Sequence, residues 1–334
     1  MERRRPELRL SEEVLRALVE VLEPGARFRE ARVLSGGLAN TNYRVETERG
    51  PRVLRLVTRD PASAEKEALL LQELAGLGVP VPRLLGKAPA GAGGSPAPAL
   101  WQELLPGRTL EEALPALDPR GSAELGRALG AALARVHARQ FSEAGDLVAR
   151  GGELLVSPWT FPGEDPDAPG SLLQRYVRYC LEGTPAGARL GPLGEEVRGF
   201  VAEADRRWPS PAPCLVHADF KPCNLFVEEG PQGWVLRGIL DWEFAHAGSP
   251  YSDYGNLFRA RSPTLPAGFE EAFVAGLRAE GVELPQDWAL RRACLDLTSA
   301  LDFLSSERDL PQRHAACLAQ VRATLALPLA PEEG

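Results

Sequence analysis

The sequence predicts an α+β protein with a small, β-rich N-terminal part and a larger, mainly helical C-terminal part. Strand-like runs separated by glycine and proline turns concentrate in the first third of the chain. From Arg108 onward, apolar residues recur mostly at helical spacing. A break after "LWQEL" separates the two patterns. We therefore expect one part over residues 1–103 and the other over residues 104–334.

The N-terminal part is expected to begin with a helix. Ser11 is a suitable N-cap, glutamates occupy the first turn, and apolar residues follow at helical spacing as far as "EPGARF". Strands are expected in "ARVLS", "NYRVET" and "RVLRLV", with a turn at Gly36-Gly37 between the first two. The periodicity then predicts a second helix over about residues 63–77.

The remaining elements follow in order along the chain. "GVPVPRLLG" looks extended, "APAGAGGSPAPA" is typical of a flexible low-complexity loop, and "LWQELLPG" is a short strand leading into a hinge. The pattern is then mostly helical, with a long irregular insertion expected over residues 157–170. "NLFVEE" and "GWVLRGIL" flank the turn "GPQG" and predict a hairpin, and residues 269–325 are helical again.

Composition narrows the class of protein. The net charge of −8 argues against nucleic-acid binding, which normally requires a basic face. The five cysteines form no C-x-x-C pair, so neither a disulfide framework nor a zinc site is expected, and a reducing, cytoplasmic location is the default. Neither a signal peptide nor a run of about 20 apolar residues is apparent, so we expect no membrane partner.

The stretch "LVHADFKPCNLF" contains the candidate catalytic residues. Asn224 lies where the first strand of the predicted hairpin begins and Asp241 where the second ends, so antiparallel pairing brings both to the same end. Asp219 lies on the turn just before this hairpin. Magnesium prefers oxygen ligands, a role that Asn224 and Asp241 fit. Asp219, for which we expect no cation partner in the turn, suits a base that receives a hydroxyl proton.

These residues carry a resemblance to a known family. The segment "HADFKPCN" from His217, followed by "ILDWE" from Ile239, resembles the aminoglycoside phosphotransferase and choline kinase superfamily of ATP-dependent kinases. "LSGGLANTNYRV", "VLRLV", "AEKEALLLQEL", "WQELLPGRTLEEAL" and "SPYSDYGNL" are similar to further segments of that family, in order, over roughly residues 30–260. The resemblance implies a protein-kinase-like bilobal fold that binds ATP and Mg²⁺.

The resemblance also implies roles for particular residues. Asp219 would be the catalytic base, Asn224 and Asp241 the Mg²⁺ ligands, and His217 a brace for the loop. Lys221 would neutralise charge on the transferred phosphoryl group, although a solvated turn lysine is the alternative.

The catalytic segment departs from the family pattern at two positions. Ala218 replaces a glycine and Phe220 a leucine, and neither change removes a functional group. At a backbone position of positive φ, Ala218 would strain the loop. Asp253 resembles a family aspartate with a structural role.

The N-terminal part offers an independent test of this resemblance. Arg55 lies on the same strand face as the valines two residues either side, and Glu67 borders the apolar stripe of the next helix. A buried carboxylate requires a partner, and a kinase-like lobe uses a basic residue paired with a glutamate to hold nucleotide phosphates. An unrelated helix glutamate and one arginine among 35 remain the alternative.

The rest of the expected ATP site depends on backbone groups. Gly36 and Gly37 would let backbone amides approach phosphates, although a hairpin turn explains them equally well. Backbone donors and acceptors around Gln102, Glu103 and Leu104 would contact the adenine ring.

The expected activity is transfer of the γ-phosphoryl group of Mg-ATP to a hydroxyl of a small molecule. A nucleotide-binding regulator without turnover is the alternative. A protein kinase is less favoured because Trp-Glu rather than Phe-Gly follows Asp241 and no A-P-E ends an activation segment, since the A-P-E of this chain lies at residues 330–332. The acceptor stays open, since "PGEDPDAPG" fits either a cation-attracting loop or a solvated one. Four aromatic residues fit either a pocket or packing, namely Trp159, Phe161, Tyr176 and Tyr179. The oligomeric state is also open.

Overall fold

The computed structural model describes residues 7–34, 40–165, 169–259 and 264–329. Its α-helices are α1 Glu12–Leu22, α2 Ser63–Gly76, α3 Leu110–Ala113, α4 Pro119–His137, α5 Leu172–Gly183, α6 Pro185–Leu190, α7 Leu193–Arg207, α8 Tyr251–Leu257, α9 Phe269–Ala279, α10 Trp288–Leu304 and α11 Pro311–Leu325. Its strands are β1 Phe28–Val33, β2 Thr41–Thr47, β3 Gly50–Leu56, β4 Leu84–Ala88, β5 Ala99–Glu103, β6 Arg108–Thr109, β7 Gly145–Arg150, β8 Glu153–Pro158, β9 Cys214–Val216, β10 Leu225–Gly230, β11 Gly233–Ile239 and β12 His246–Gly248. The α+β prediction is confirmed.

The N-terminal lobe is an antiparallel sheet in the order β1-β2-β3-β5-β4, covered by one helix on each face. Helix α1 starts where expected, because the Ser11 hydroxyl accepts a hydrogen bond from the Val14 N–H. Leu54 and Leu56 of β3 pack with α1, while Val57 and Leu100 pack with α2. Since side chains alternate along a strand, residue 55 points towards α2. The last strand of this sheet along the chain, β5, ends at Glu103, the residue where we expected the hinge.

The low-complexity segment before β5 is not the flexible loop that its composition predicts. Residues 92–94 form a short 3₁₀ turn, and the Gly91 N–H donates to the Ser95 carbonyl over 2.7 Å. A Cβ atom at Gly93 would lie 2.8 Å from the backbone nitrogen of Leu18 in α1. Gly93 therefore serves close packing against a helix, which a composition-based prediction misses.

The C-terminal lobe is mainly helical and contains two apolar clusters. The larger cluster joins α4, α8 and α9 to the β10–β11 hairpin, and the smaller one joins α5, α6, α7, α10 and α11. Helices α4 and α9 approach closely at glycine, since a Cβ at Gly130 would lie 2.1 Å from the Phe273 carbonyl oxygen. No helix within the described ranges combines the length and apolar character that a membrane span requires.

One hairpin in this lobe was not expected. Strands β7 and β8 pair from Gly145↔Pro158 to Arg150↔Glu153 around Gly151-Gly152, both of which have positive φ. The alternation in "DLVAR" and "ELLVS" beside a glycine pair is the sequence signal that could have revealed it. This hairpin belongs to a four-stranded sheet with the order β8-β7-β12-β9, and β9 is the strand that leads into the predicted catalytic loop.

Candidate active site

The hairpin β10–β11 brings the two predicted metal ligands to the same end. Leu225 pairs with Ile239, and the Leu240 N–H donates to the Asn224 carbonyl over 2.8 Å. Asn224 therefore directly precedes the first strand, and Asp241 follows the second. The placement is the one that the antiparallel pairing predicted, while the ligand roles stay a prediction.

Asp219 is held by two neighbours from its own loop. The Asn224 side-chain amide donates to the Asp219 carboxylate over 2.8 Å and to its carbonyl over 2.9 Å. The Lys221 ammonium lies 2.8 Å from the other carboxylate oxygen. Our expectation that the turn offers Asp219 no cation partner was therefore wrong. Lys221 has an extended backbone, and residues two apart in extended chain point to the same side.

Lys221 is ion-paired rather than freely solvated. Its side chain is 33% exposed and contacts Asp219. Burial alone would lower the pKa of the Lys221 ammonium, but the adjacent Asp219 carboxylate outweighs this effect and raises it. The lysine therefore carries a positive charge beside the predicted base, as a group that neutralises phosphoryl charge must.

His217 is fully buried and braces the loop from inside. Its Nδ1 accepts a hydrogen bond from the Asp219 N–H over 3.1 Å, and its Nε2 lies 2.8 Å from the Leu240 carbonyl oxygen. These partners require the tautomer with the proton on Nε2, because Nδ1 is the acceptor. His217 thus links the Asp219 backbone to the residue before Asp241. Its burial and these contacts fit the bracing role that the resemblance implies and make His217 a positioning residue.

Asp253 of α8 fixes the start of the same loop. Its carboxylate accepts hydrogen bonds from the backbone N–H groups of His217 (2.9 Å) and Ala218 (2.8 Å), and it lies 3.0 Å from His137 Nε2. Burial opposes ionisation of this carboxyl group, but His137 and the His217 amide hold the pKa of Asp253 below its ordinary value. The structural role expected for Asp253 agrees with these contacts.

We expect Asp253→Asn to lower the free energy of unfolding by about 3 kcal/mol. An asparagine offers one acceptor oxygen where the carboxylate accepts three charge-assisted hydrogen bonds, and each such bond contributes about 1.5–3 kcal/mol. Urea denaturation would measure the loss. Asp287→Asn is the matched control, because Asp287 makes a partly exposed pair with Arg291 that should contribute less than about 1 kcal/mol. Equal losses in the two variants would contradict this role for Asp253.

Two residues of the site have a left-handed backbone. Ala218 has φ of 66° and Asp241 has φ of 69°. Aspartate tolerates this conformation, but for alanine it costs roughly 1–2 kcal/mol. The position where the family pattern has glycine is therefore one that requires positive φ, and the alanine strains the loop as anticipated.

We expect Ala218→Gly to raise the free energy of unfolding by about 0.5–1 kcal/mol. The relief of about 1–2 kcal/mol of strain exceeds the extra unfolded-state entropy of glycine, about 0.5–1 kcal/mol. Thermal or urea denaturation would measure the gain. Ala315→Gly, at an exposed site inside α11, is a control that should lose about 1 kcal/mol. A loss in both variants would show that the Ala218 methyl group makes contacts that outweigh the strain.

Arg55 and Glu67 form the expected buried ion pair. The Arg55 Nε and Nη2 atoms lie 2.8 Å from the two carboxylate oxygens of Glu67, which is 2% exposed. Arg55 Nη2 also lies 2.5 Å from Asp241 Oδ1, a contact that we did not anticipate. Burial raises the pKa of the Asp241 carboxyl group, but Arg55 outweighs this and lowers it. Arg55 thus joins the predicted phosphate-binding strand directly to a predicted metal ligand.

The residues fit a hard divalent cation. Asn224 directs its amide nitrogen at Asp219, so its Oδ1 faces away, where its contact is the Cys223 thiol at 3.7 Å. This leaves an amide oxygen and the Asp241 carboxylate as oxygen donors of the type that Mg²⁺ prefers. Asp241 also groups with Glu67 and Glu243, with carboxylate oxygens within 4.8 Å of one another.

Glu243 is the site residue that sequence reasoning missed. The spacing Asp-x-Glu in "ILDWE" could have drawn attention to it, but we assigned the glutamate no role. Burial, together with the nearby Asp241 carboxylate, raises the pKa of Glu243. Its carboxylate reaches the N-terminal lobe, where Oε2 accepts a hydrogen bond from the Asn40 side-chain amide over 3.0 Å and Oε1 lies 3.4 Å from Arg59 Nη1.

The other residues predicted for the nucleotide site lie at the end of β5 and in the segment before β2. The Glu103 N–H donates to the Arg83 carbonyl over 3.0 Å, so this hinge donor is occupied. Gln102 is buried, and Leu104 follows the end of β5. Gly36 and Gly37 lie outside the described residues, so their predicted contacts remain a prediction.

Three of the four aromatic residues considered for the acceptor pocket contact each other, whereas Trp159 lies against His246 with ring centres 4.8 Å apart. Phe161 stacks on Tyr179 with ring centres 5.5 Å apart and tilts against Tyr176 at 5.7 Å. Glu164 of the acidic loop makes two hydrogen bonds to Arg175. The structure thus shows packing for these rings, and one acidic side chain of the loop already has a cation partner.

Fold and site together define a protein-kinase-like class. A small antiparallel sheet with a buried arginine–glutamate pair precedes a helical lobe that presents an aspartate, an asparagine and a second aspartate around one hairpin. The chain belongs to the phosphotransferase enzyme family, whose model matches residues 30–294.

Solved structures share this fold at low sequence identity. An ADP-bound aminoglycoside phosphotransferase, APH(2'')-Ib, is 16% identical with a TM-score of 0.64, over 94% of this chain and 98% of its own. A putative fructosamine-3-kinase from Thermobifida fusca YX-ER1 is 20% identical with a TM-score of 0.60, over 94% and 99%. The macrolide 2'-phosphotransferase MphH from Brachybacterium faecium is 20% identical with a TM-score of 0.58, over 95% and 98%.

Proposed function

We propose that this protein transfers the γ-phosphoryl group of Mg²⁺-bound ATP to a hydroxyl group of a small molecule in the cytoplasm. The observation that carries the proposal is the Asp219 carboxylate, oriented by Asn224 and Lys221 at the same end of a hairpin as Asp241. Family membership and the similarity to phosphotransferase folds support it. A nucleotide lobe over residues 1–103 and an acceptor lobe over residues 104–334 are part of the proposal.

Asp219 would act on the acceptor hydroxyl. The carboxylate accepts a hydrogen bond from the hydroxyl, aligns its oxygen with the γ-phosphorus and takes up the proton as the new O–P bond forms. The bond between the γ-phosphorus and the bridging oxygen breaks, and ADP leaves. Because both neighbours of Asp219 come from its own loop, the carboxylate is oriented before the acceptor arrives.

The cationic groups would hold the phosphates. Lys221 lies beside the base and would neutralise charge on the transferred group, and Arg55 lies between Glu67 and Asp241, from where it would contact the nucleotide phosphates. Asn224 and Asp241 would hold Mg²⁺, which supplies charge neutralisation at the phosphate oxygens. In this site, catalysis comes from positioning and electrostatics rather than from a covalent intermediate.

A coupled ADP-release assay with Mg-ATP tests the proposal. The acceptor panel spans aminoglycosides, macrolides, choline, homoserine, sugars and fructosamines, with Asp219→Asn measured in parallel and Asp287→Asn as a control at a residue that has no assigned role in the site. Acceptor-dependent ADP release that Asp219→Asn lowers by about 100-fold or more and Asp287→Asn leaves intact would support the proposal. Turnover in Asp219→Asn within tenfold of wild type, or a protein that binds no nucleotide, would overturn it.

A further inference from the structure

Helix α2 carries a lysine that reaches the segment after Asp241. We call residues 241–245 the aspartate loop. The Lys66 ammonium donates to the carbonyl oxygens of Glu243 (2.7 Å) and Ala245 (3.2 Å) in this loop. The loop makes a short 3₁₀ turn, which a hydrogen bond from the Ala245 N–H to the Trp242 carbonyl closes. Lys66 therefore binds carbonyl groups at the end of a helical turn, where they lack partners within the turn.

The next residue of α2 acts on the side chain of Asp241. Glu67 binds Arg55 over 2.8 Å, and Arg55 Nη2 lies 2.5 Å from Asp241 Oδ1. Helix α2 thus reaches the Asp241 carboxylate through Glu67 and Arg55, and the backbone that follows Asp241 through Lys66. Two consecutive residues of one helix therefore hold both the carboxylate and the main chain of the aspartate loop.

Helix α2 is itself fixed to the C-terminal lobe. Leu70 and Leu74 belong to the larger apolar cluster of that lobe, which also contains Trp242 of the aspartate loop. Further along α2, Glu73 lies 2.7 Å from Arg139 Nε, just after α4. Because α2 and the aspartate loop pack into the same cluster, the Lys66 contacts join two parts that are already held together.

The position of Lys66 is a costly one for a lysine. Its side chain is half-buried, and burial lowers the pKa of its ammonium group although the Glu67 and Asp146 carboxylates oppose this effect. A lysine on an exposed face of the helix would avoid this cost. The two backbone carbonyls of the aspartate loop offset it, so the loop gains a fixed donor at the expense of solvation of the ammonium group.

We propose that Lys66 is a positioning residue, which fixes the aspartate loop to α2 and thereby sets where the Asp241 carboxylate meets Mg²⁺. This inference rests on the proposed function, in which Asp241 is a metal ligand. Asp241 has a left-handed backbone with φ of 69°, so contacts that hold the following residues also hold the direction of its side chain. Changes to residues that orient metal ligands typically cost 10- to 100-fold in metal affinity or activity.

The affinity for Mg²⁺ tests this role. Lys66→Met removes the donors but keeps an unbranched side chain of similar length. In titrations of the protein–ADP complex, we expect its Mg²⁺ affinity to fall about 10-fold, while ADP affinity without metal stays within about twofold of wild type. Lys87→Met is the matched control, because Lys87 makes an exposed pair with Glu65 of the same helix. Its Mg²⁺ affinity should equal that of wild type.

Two outcomes of these titrations would overturn the proposal. The first is a Mg²⁺ affinity in Lys66→Met that equals that of Lys87→Met. The second is a parallel loss of Mg²⁺ affinity and metal-free ADP affinity, which would show that the substitution disturbs the lobe as a whole rather than the position of Asp241.

Hydrogen exchange tests the same contacts without nucleotide or metal. Lys66→Met should speed exchange of the Ala245 N–H, which closes the turn, about 10-fold and leave the amides of α2 unchanged. Lys87→Met should change neither. Wild-type exchange at Ala245, or faster exchange along the whole of α2, would overturn the positioning role. Absence of Mg-ATP binding in the wild type would instead overturn the proposed function, and exchange would still decide whether Lys66 fixes the aspartate loop.

Discussion

Asp219→Asn is expected to lower kcat for phosphoryl transfer by about 10²- to 10⁴-fold, or roughly 3–5 kcal/mol of activation free energy. The asparagine oxygen can still accept a hydrogen bond from the acceptor hydroxyl, but the amide cannot take up its proton. The variant also removes the negative partner of Lys221, so the ammonium group is no longer held beside the reacting oxygen. Steady-state kinetics with the acceptor identified in the panel would measure the loss.

The control for Asp219→Asn is the affinity for Mg-ATP, measured by calorimetry on the same preparation. Asn224 and Asp241 are unchanged in the variant, so this affinity should stay within a few-fold of wild type. A similar unfolding temperature would exclude a folding defect. A kcat within tenfold of wild type, with the fold intact, would show that Asp219 is not the base.

Glu67→Gln is expected to lower the free energy of unfolding by about 3 kcal/mol. Removal of one partner of a buried ion pair costs about 3–5 kcal/mol, because the other charge is left in a poor solvent. Arg55 retains Asp241 at 2.5 Å, which places the cost at the lower end of that range. The glutamine keeps the shape of the side chain, so no cavity forms. A lower free energy of unfolding therefore reports the loss of the charge and of the bidentate contact with Arg55. Urea unfolding would measure the loss.

Glu12→Gln is the matched control for Glu67→Gln. Glu12 pairs with Arg16 one helical turn away, and both side chains are more than half exposed. Such a pair should contribute no more than about 0.5 kcal/mol. If Glu67→Gln loses no more than this control, the buried pair does not stabilise the N-terminal lobe and Arg55 is held by Asp241 instead.

Much of the site could be predicted because its parts lie close together in the chain. Asn224 and Asp241 flank a single hairpin, whose turn and apolar strands are visible in the sequence, so their convergence needed only antiparallel pairing. The partnership of Arg55 with Glu67 followed from strand alternation, helical spacing and the cost of a buried charge. The Asp219–Lys221 contact was equally local, and we missed it because we overlooked that residues two apart share a side in extended chain.

Two errors in our prediction of the fold arose because we judged segments by their composition and not by the backbone geometry that their glycines allow. The alanine- and glycine-rich segment before β5 looked flexible, yet Gly93 lies against α1 because only a residue without Cβ fits there. The β7–β8 hairpin was hidden in a region that we interpreted as mostly helical, although Gly151-Gly152 marks its turn. Gly93 is required by the close approach of α1, whereas Gly151 and Gly152 are required by the positive φ of their turn.

The sequence by itself determined the α+β class, the hairpin that carries Asn224 and Asp241, and the buried ion pair between Arg55 and Glu67. Each of these depends on periodicity or spacing within a short stretch of the chain. Only the tertiary structure decided how the two lobes meet at the site. Arg55 contacts Asp241 across 186 positions of the chain, and Asn40 contacts Glu243 across 203. Local propensity carries no information about such pairs. They form because the folded lobes bury a carboxylate and a donor side by side, where neither can be left without a partner.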